Sequence, residues 1–187
     1  MEIITYVLEG ELEHRDSTGS HGIVGPGGTQ FMSAGTGIRH SEFNHSKEKP
    51  LHLLQMWVVP GRVGTAPTYG QVEFRDDERR NKLLAVASGR EGVAAPVRLT
   101  QDAAFFVTRL EDGHKVRHTF EPGRLGFAFV AEGSAHVRVA HDQMVDDVGA
   151  LHTGDAVRLA NVERVELDGP GLVVLWDVPP IAEAGDA

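Results

Sequence analysis

Short apolar runs separated by turn-forming residues are the feature that most restricts the fold of this chain. Its 22 glycines and 9 prolines are spread between these runs rather than gathered in one linker. The runs at 3–8, 29–33 and 51–59 have the length of β-strands, and the last of them ends at Pro60-Gly61. The pattern therefore predicts an all-β protein.

The two halves of the chain resemble each other. Residues 6–14 (YVLEGELEH) are similar to residues 129–137 (FVAEGSAHV). Self-similarity of this kind indicates a duplicated β unit. We therefore predict two domains, residues 1–75 and residues 82–181, with a polar connection between them.

One histidine and one carboxylate have the spacing of metal ligands on a strand. His40 and Glu42 are two residues apart, and side chains at i and i+2 of a β-strand point to the same face. An imidazole and a carboxylate aimed at one point are half of a four-ligand transition-metal site. Glu42 could also act as a general base beside the metal. The second half of the chain contains no His-x-Glu or His-x-His pair, so we predict that the second domain carries no metal motif.

The other histidines have weaker claims to a site. His52 could orient a ligand by a hydrogen bond or could lie at the rim. Four residues could line the barrel mouth or simply form the core: His14, Phe31, Met32 and Met56. We expect the remaining histidines to be surface residues: His21, His45, His114, His118, His136, His141 and His152.

Composition excludes several classes of function. The net charge of −9 argues against a general nucleic-acid binder, which would need a basic face. The chain has no cysteine, and no stretch approaches the roughly 20 apolar residues that span a bilayer. The sequence also lacks a nucleophile elbow, a phosphate-binding loop and a dinucleotide fingerprint. A cytoplasmic location without a membrane segment is therefore predicted.

The motifs resemble those of a known family. The spacing Gly37-x-x-His40-x-x-x-Asn44 is similar to the second metal-binding motif of the cupins. The runs at 4–10, 14–17, 32–42 and 51–57 are similar to the pirin family of bicupins, which includes bacterial quercetin 2,3-dioxygenases, and a thinner similarity extends to 175–180. The resemblance implies tandem jelly-roll barrels of the cupin type.

The resemblance also implies a ligand set. In that family a metal, usually iron, is held by three histidines and one glutamate, and His40 and Glu42 match two of these positions. The other two ligands form a His-Pro-His motif just upstream of a strand that begins here at Met1-Glu2. We therefore expect a first barrel without its N-terminal strands, through a start assigned at an internal methionine or a natural short form. Weak or absent Fe(II) occupancy and little activity would follow.

Three functions remain open at this point. The complete protein would be an iron-dependent dioxygenase that cleaves flavonols such as quercetin and releases carbon monoxide. The alternative is a metal-binding, redox-sensing regulator of a protein partner such as a transcription factor. A structural bicupin without a ligand is the third.

Overall fold

The computed structural model describes residues 1–142 and 144–180, so the predicted domain end at residue 181 lies outside the described residues. The prediction of an all-β protein is confirmed. The strands are β1 Glu2–Glu9, β2 Leu12–Asp16, β3 His21–Val24, β4 Thr29–Ser33, β5 His40–Asn44, β6 His52–Val58, β7 Thr68–Val72, β8 Leu84–Ser88, β9 Val97–Arg98, β10 Ala104–Leu110, β11 Lys115–Thr119, β12 Leu125–His141, β13 Met144–His152, β14 Ala156–Leu159, β15 Arg164–Asp168 and β16 Gly171–Val178. The described residues contain one helix, α1 Asp76–Arg79, and no described helix has the length and hydropathy needed to cross a bilayer.

The first compact unit comprises Met1–Asp76 and Pro96–Gln101. It contains a four-stranded sheet in the order β6-β1-β4-β7 and a three-stranded sheet in the order β3-β2-β5. Strand β1 is buried along almost its whole length because it lies in the middle of the larger sheet. Gly10 makes the tight turn from β1 into β2, with a φ of 78° that favours glycine.

The second compact unit comprises Asp77–Ala95 and the described residues from Asp102 onward. Its long strand β12 pairs with β14 and β16 through its first half and with β13 and β15 through its second half. This double pairing lets one strand serve two parts of the unit. Apolar side chains from these strands fill the interior, among them Phe106, Val130, Val137, Leu167 and Leu175.

One end of the second unit carries a buried ionic cluster around Asp177. This carboxylate is fully buried and accepts hydrogen bonds from Arg90, Arg124 and His118, the last at 2.7 Å. Burial by itself would raise the pKa of Asp177, but the hydrogen bonds from His118 and Arg124 outweigh it and the pKa lies below its ordinary value. The expectation that His118 is a surface residue is wrong, because its side chain packs between Phe106 and Phe120 and reaches the buried carboxylate.

A second ionic cluster lies on the outer face of β2. The Glu13 carboxylate accepts hydrogen bonds from His45 at 2.8 Å, from Arg15 at 2.8 Å and from His21 at 3.1 Å. These hydrogen bonds lower the pKa of Glu13 to about 2. Ionised Glu13 therefore stabilises the first unit fully above its ordinary pKa of 4.5, and this contribution is lost as the pH falls toward 2.

We expect replacement of Glu13 by glutamine to flatten the acid side of the stability profile. Parent protein should lose more stability between pH 5 and pH 3 than Glu13→Gln, because only the parent must protonate this bound carboxylate. Urea unfolding of both proteins at the two pH values measures the difference. The control is Glu11→Gln, which changes the charge in the same way at an exposed residue nearby. It should lose as much unfolding free energy between pH 5 and pH 3 as the parent. Equal slopes in parent and Glu13→Gln would contradict the prediction.

Candidate functional site

Two strands bring four polar groups to one face of the smaller sheet. His40 and Glu42 alternate on β5, and the register pairs Asp16 with His40 and His14 with Glu42. Directly paired residues of antiparallel strands share a face, so His14 and Asp16 of β2 lie on the face of His40 and Glu42. Among the described residues β5 is an edge strand of this sheet.

The Glu42 carboxylate lies between two glutamines of the larger sheet. Gln30 donates to Oε1 at 2.5 Å, and Gln55 donates to Oε2 at 2.8 Å. Gln55, Thr5, Gln30 and Gln71 are register partners in a row across β6, β1, β4 and β7. These residues therefore share the face that meets Glu42. The two amides hold the carboxylate in one orientation.

His14 forms the buried floor beside His40 and Glu42. Its side chain is fully buried, and its Nε2 lies 3.1 Å from Asp16 Oδ2. The ring stacks on Tyr69 at a centroid distance of 4.1 Å and on His40 at 5.6 Å. Its Nδ1 has no hydrogen-bond partner among the described residues. The stack limits rotation of the His40 ring, since His40 lies against a fixed neighbour.

Two acidic groups near the stack have shifted pKa values. Burial by itself would raise the pKa of Asp16, but hydrogen bonds from Thr18 and His14 outweigh it and hold the pKa well below its usual range. Burial and the charges of Asp16 and Glu42 raise the pKa of Tyr69 to about 12. Tyr69 therefore keeps its proton at neutral pH, and its hydroxyl lies 3.4 Å from Gln30 Oε1.

Gly22 on β3 leaves room for Tyr69 and Gln71 where the two sheets meet. A Cβ on this residue would force the side-chain oxygens of Gln71 and Tyr69 to move. Glycine thus lets the larger sheet's polar row approach β3, which is paired with β2.

Two of these residues, His40 and Glu42, have the donor atoms to fill two coordination positions of a divalent metal ion. His40 is exposed, and no hydrogen bond of its ring is found within the described residues. An ionised carboxylate has about four lone-pair sites, so the two amide hydrogen bonds leave Glu42 free to bind a cation as well. His14 and Asp16 are already bonded to each other. Within the described residues no group of three histidine, cysteine or acidic side chains has the geometry of a metal site.

The structure places the weaker candidates in different surroundings. His52 is exposed at the start of β6, opposite Glu9, and its orienting role stays a prediction. The residue of β6 that reaches Glu42 is Gln55. Met32 is buried, and the strand register pairs it with Ile3 of β1 on one side and with Tyr69 of β7 on the other. Gln30 and Gln55 were not predicted, because their contacts with Glu42 come from strands that are distant in sequence.

Comparison with known proteins identifies both halves of the chain. The pirin family model matches residues 1–58, and the model of the quercetinase C-terminal cupin domain matches residues 83–171. The quercetin 2,3-dioxygenase of Escherichia coli K12 is 34% identical over 97% of this chain and 74% of its own length. A pirin-like protein of Caulobacter vibrioides is 35% identical over 89% of this chain and 71% of its own length.

Solved structures of relatives confirm the cupin-type fold. The crystal structure of YhhW from E. coli matches 97% of this chain and 73% of its own chain, with a TM-score of 0.78 at 30% identity. A second YhhW structure, a complex with nickel(II), matches with a TM-score of 0.77 at 30% identity over the same shares. A divalent metal is thus bound by a relative of this chain. By sequence and by fold, the chain belongs to the pirin family of cupin proteins.

Proposed function

We propose that this chain carries the metal-binding barrel of a dioxygenase that opens the ring of flavonols such as quercetin. The observation that supports the proposal most directly is the Glu42 carboxylate, which Gln30 and Gln55 fix on the same sheet face as the exposed imidazole of His40. Relatives that are 34% identical to this chain are named quercetin 2,3-dioxygenase.

His40 and Glu42 would hold the metal in this proposal. A histidine nitrogen and a carboxylate oxygen accept several divalent ions, and availability selects among them. We propose Fe(II), with nickel(II), the ion in the YhhW complex, as a convenient probe. When bound, the ion supplies Lewis acidity toward a substrate oxygen. Two protein donors alone give weak occupancy, since water fills the other positions.

The protein's own residues would bind and deprotonate the substrate. Glu42 takes the proton of a flavonol hydroxyl, and its orientation is set by the two glutamines. Tyr69 keeps its proton, so it adds no negative charge next to Glu42. Cleavage of two ring carbon–carbon bonds then incorporates both atoms of dioxygen and releases one carbon as carbon monoxide. The substrate is a small aromatic molecule, and we propose the cytoplasm as the site of the reaction.

We expect metal affinity and oxygen uptake to depend on Glu42 once the ligand set is completed. A segment containing His-Pro-His, joined in front of Glu2, should raise metal content to one ion per chain. In that background Glu42→Ala should weaken nickel(II) binding by at least about 10- to 100-fold, because removing a ligand costs no less than removing the hydrogen-bond partner of a ligand. Elemental analysis and calorimetric titration measure binding, and an oxygen electrode measures uptake with quercetin. Glu48→Ala, an exposed residue outside the strands, is the matched control.

Two results would count against the proposal. Stoichiometric metal that survives both His40→Ala and Glu42→Ala would show that other residues bind it. Full metal loading with Fe(II) but no oxygen uptake with quercetin would exclude the dioxygenase and favour the redox-sensing regulator.

A further inference from the structure

We propose that Trp57 is the stacking platform for the planar aromatic substrate of this site. The inference rests on the proposed function and adds a residue that positions the substrate. Three observations support it. The indole lies on the sheet face that meets Glu42, it donates a hydrogen bond to Gln55, which holds Glu42, and its ring is largely exposed.

The strand register places Trp57 on the face of the site. Trp57 pairs with Ile3, Ile3 pairs with Met32, and Met32 pairs with Tyr69, which forms one row across four strands. The neighbouring row on the same face contains Gln55 and Gln30, the two donors to Glu42, because residues two apart on a strand share a face. Trp57 and Tyr69 therefore lie at opposite ends of the row beside the carboxylate's glutamines.

A hydrogen bond connects the indole to the candidate base. Trp57 Nε1 donates to Gln55 Oε1 at 3.2 Å, and the amide nitrogen of the same Gln55 donates to Glu42 at 2.8 Å. One amide group therefore separates the indole from the carboxylate. This hydrogen bond also restricts rotation of the indole, so its ring face is held ready for a ligand at low entropic cost.

The exposure of Trp57 leaves its ring face open to an aromatic ligand. Trp57 is 65% exposed, whereas Trp176 is 8% exposed and packs on Phe105 at a centroid distance of 4.9 Å. No other aromatic ring of the described residues stacks on Trp57. A flavonol combines planar aromatic rings with acidic hydroxyls, so an open indole beside a carboxylate matches both of its parts.

Fluorescence and calorimetry of the chain itself test the proposal. In Trp176→Phe, the remaining tryptophan is Trp57, and quercetin should quench its emission in a saturable way, with or without nickel(II). In Trp57→Phe, where the buried Trp176 remains, quenching should be much weaker. Calorimetric titration should show Trp57→Ala binding quercetin about tenfold more weakly than parent, and Trp57→Phe should retain most of the affinity. Since Trp57 is exposed, its variants should fold normally.

Each outcome supports the proposal or overturns it. Equal quercetin affinity in parent and Trp57→Ala would overturn the role of Trp57 and leave the dioxygenase proposal standing. No quercetin binding by parent, with or without nickel(II), would also overturn the role of Trp57, and the dioxygenase proposal would still be decided by oxygen uptake with the completed ligand set. A change of Trp57 emission with protein concentration alone would also overturn the role of Trp57. Trp57, Val59 and Val63 are exposed, and such a change would mean that this apolar surface joins two copies of the chain.

Discussion

Replacing Asp177 by alanine is expected to destabilise the second unit by about 3–5 kcal/mol. The carboxylate is fully buried, and its removal leaves the guanidinium groups of Arg90 and Arg124 without the partner that they share. His118 loses its acceptor as well. Each guanidinium keeps only a carboxylate partner that is more than half exposed, and losing the buried partner of a buried charge is far more costly than losing an exposed ion pair. Urea unfolding followed by the fluorescence of Trp176, its neighbour on β16, measures the change.

Asp102→Ala is the matched control for this variant. Asp102 also accepts a hydrogen bond from Arg124, at 2.8 Å, but its side chain is 53% exposed. Water can therefore replace it, and the expected loss is below about 1 kcal/mol. Because the pKa of Asp177 is lowered, its contribution should be present at neutral pH and lost on strong acidification. If the two variants lost similar amounts of unfolding free energy, burial of Asp177 would not be the reason for its contribution to stability.

Replacing His14 by alanine is expected to cost the first unit about 3–5 kcal/mol. The fully buried imidazole fills the space between Tyr69 and His40 and bonds the buried carboxylate of Asp16. Alanine would leave a cavity and remove one partner of that carboxylate. Chemical denaturation of the variant, monitored by the near-ultraviolet signal of Tyr69 and Trp57, measures the loss.

Two further substitutions separate the parts of this effect. His14→Phe keeps a ring in the stack but removes the hydrogen bond to Asp16, so it should recover part of the stability. His21→Ala removes an exposed histidine from the neighbouring strand β3 and should change stability by roughly 0.5 kcal/mol or less. A His14→Ala protein as stable as His21→Ala would show that the buried stack contributes little.

The sequence predicts the architecture better than it predicts the site. Turn residues between short apolar runs indicate an all-β chain, and the spacing of His40 and Glu42 indicates their common face. Gln30, Gln55 and His14 could not be assigned in the same way. They meet Glu42 or His40 through pairing and packing of strands that are distant in sequence, and no local periodicity encodes such contacts.

His118 illustrates a second reason for the difference. Lys115 and Arg117 precede it in β11, so its local sequence is that of a surface strand. Its partner Asp177 lies 59 residues away, in a strand that is otherwise almost wholly apolar. The sign that was available is this single carboxylate in an apolar run, since a buried charge requires partners.

The position of β5 at the edge of its sheet, among the described residues, leaves one side of the strand available for backbone pairing. His40 and Glu42 lie on a strand that, among the described residues, pairs only with β2. Suppose that another strand, from any source, pairs with the open side of β5 and that a metal ion strengthens this pairing. Thermodynamic linkage then requires the pairing to raise metal affinity by the same factor. The affinity of the two ligands for metal is in that case a property of the strand's backbone partners as well as of its side chains.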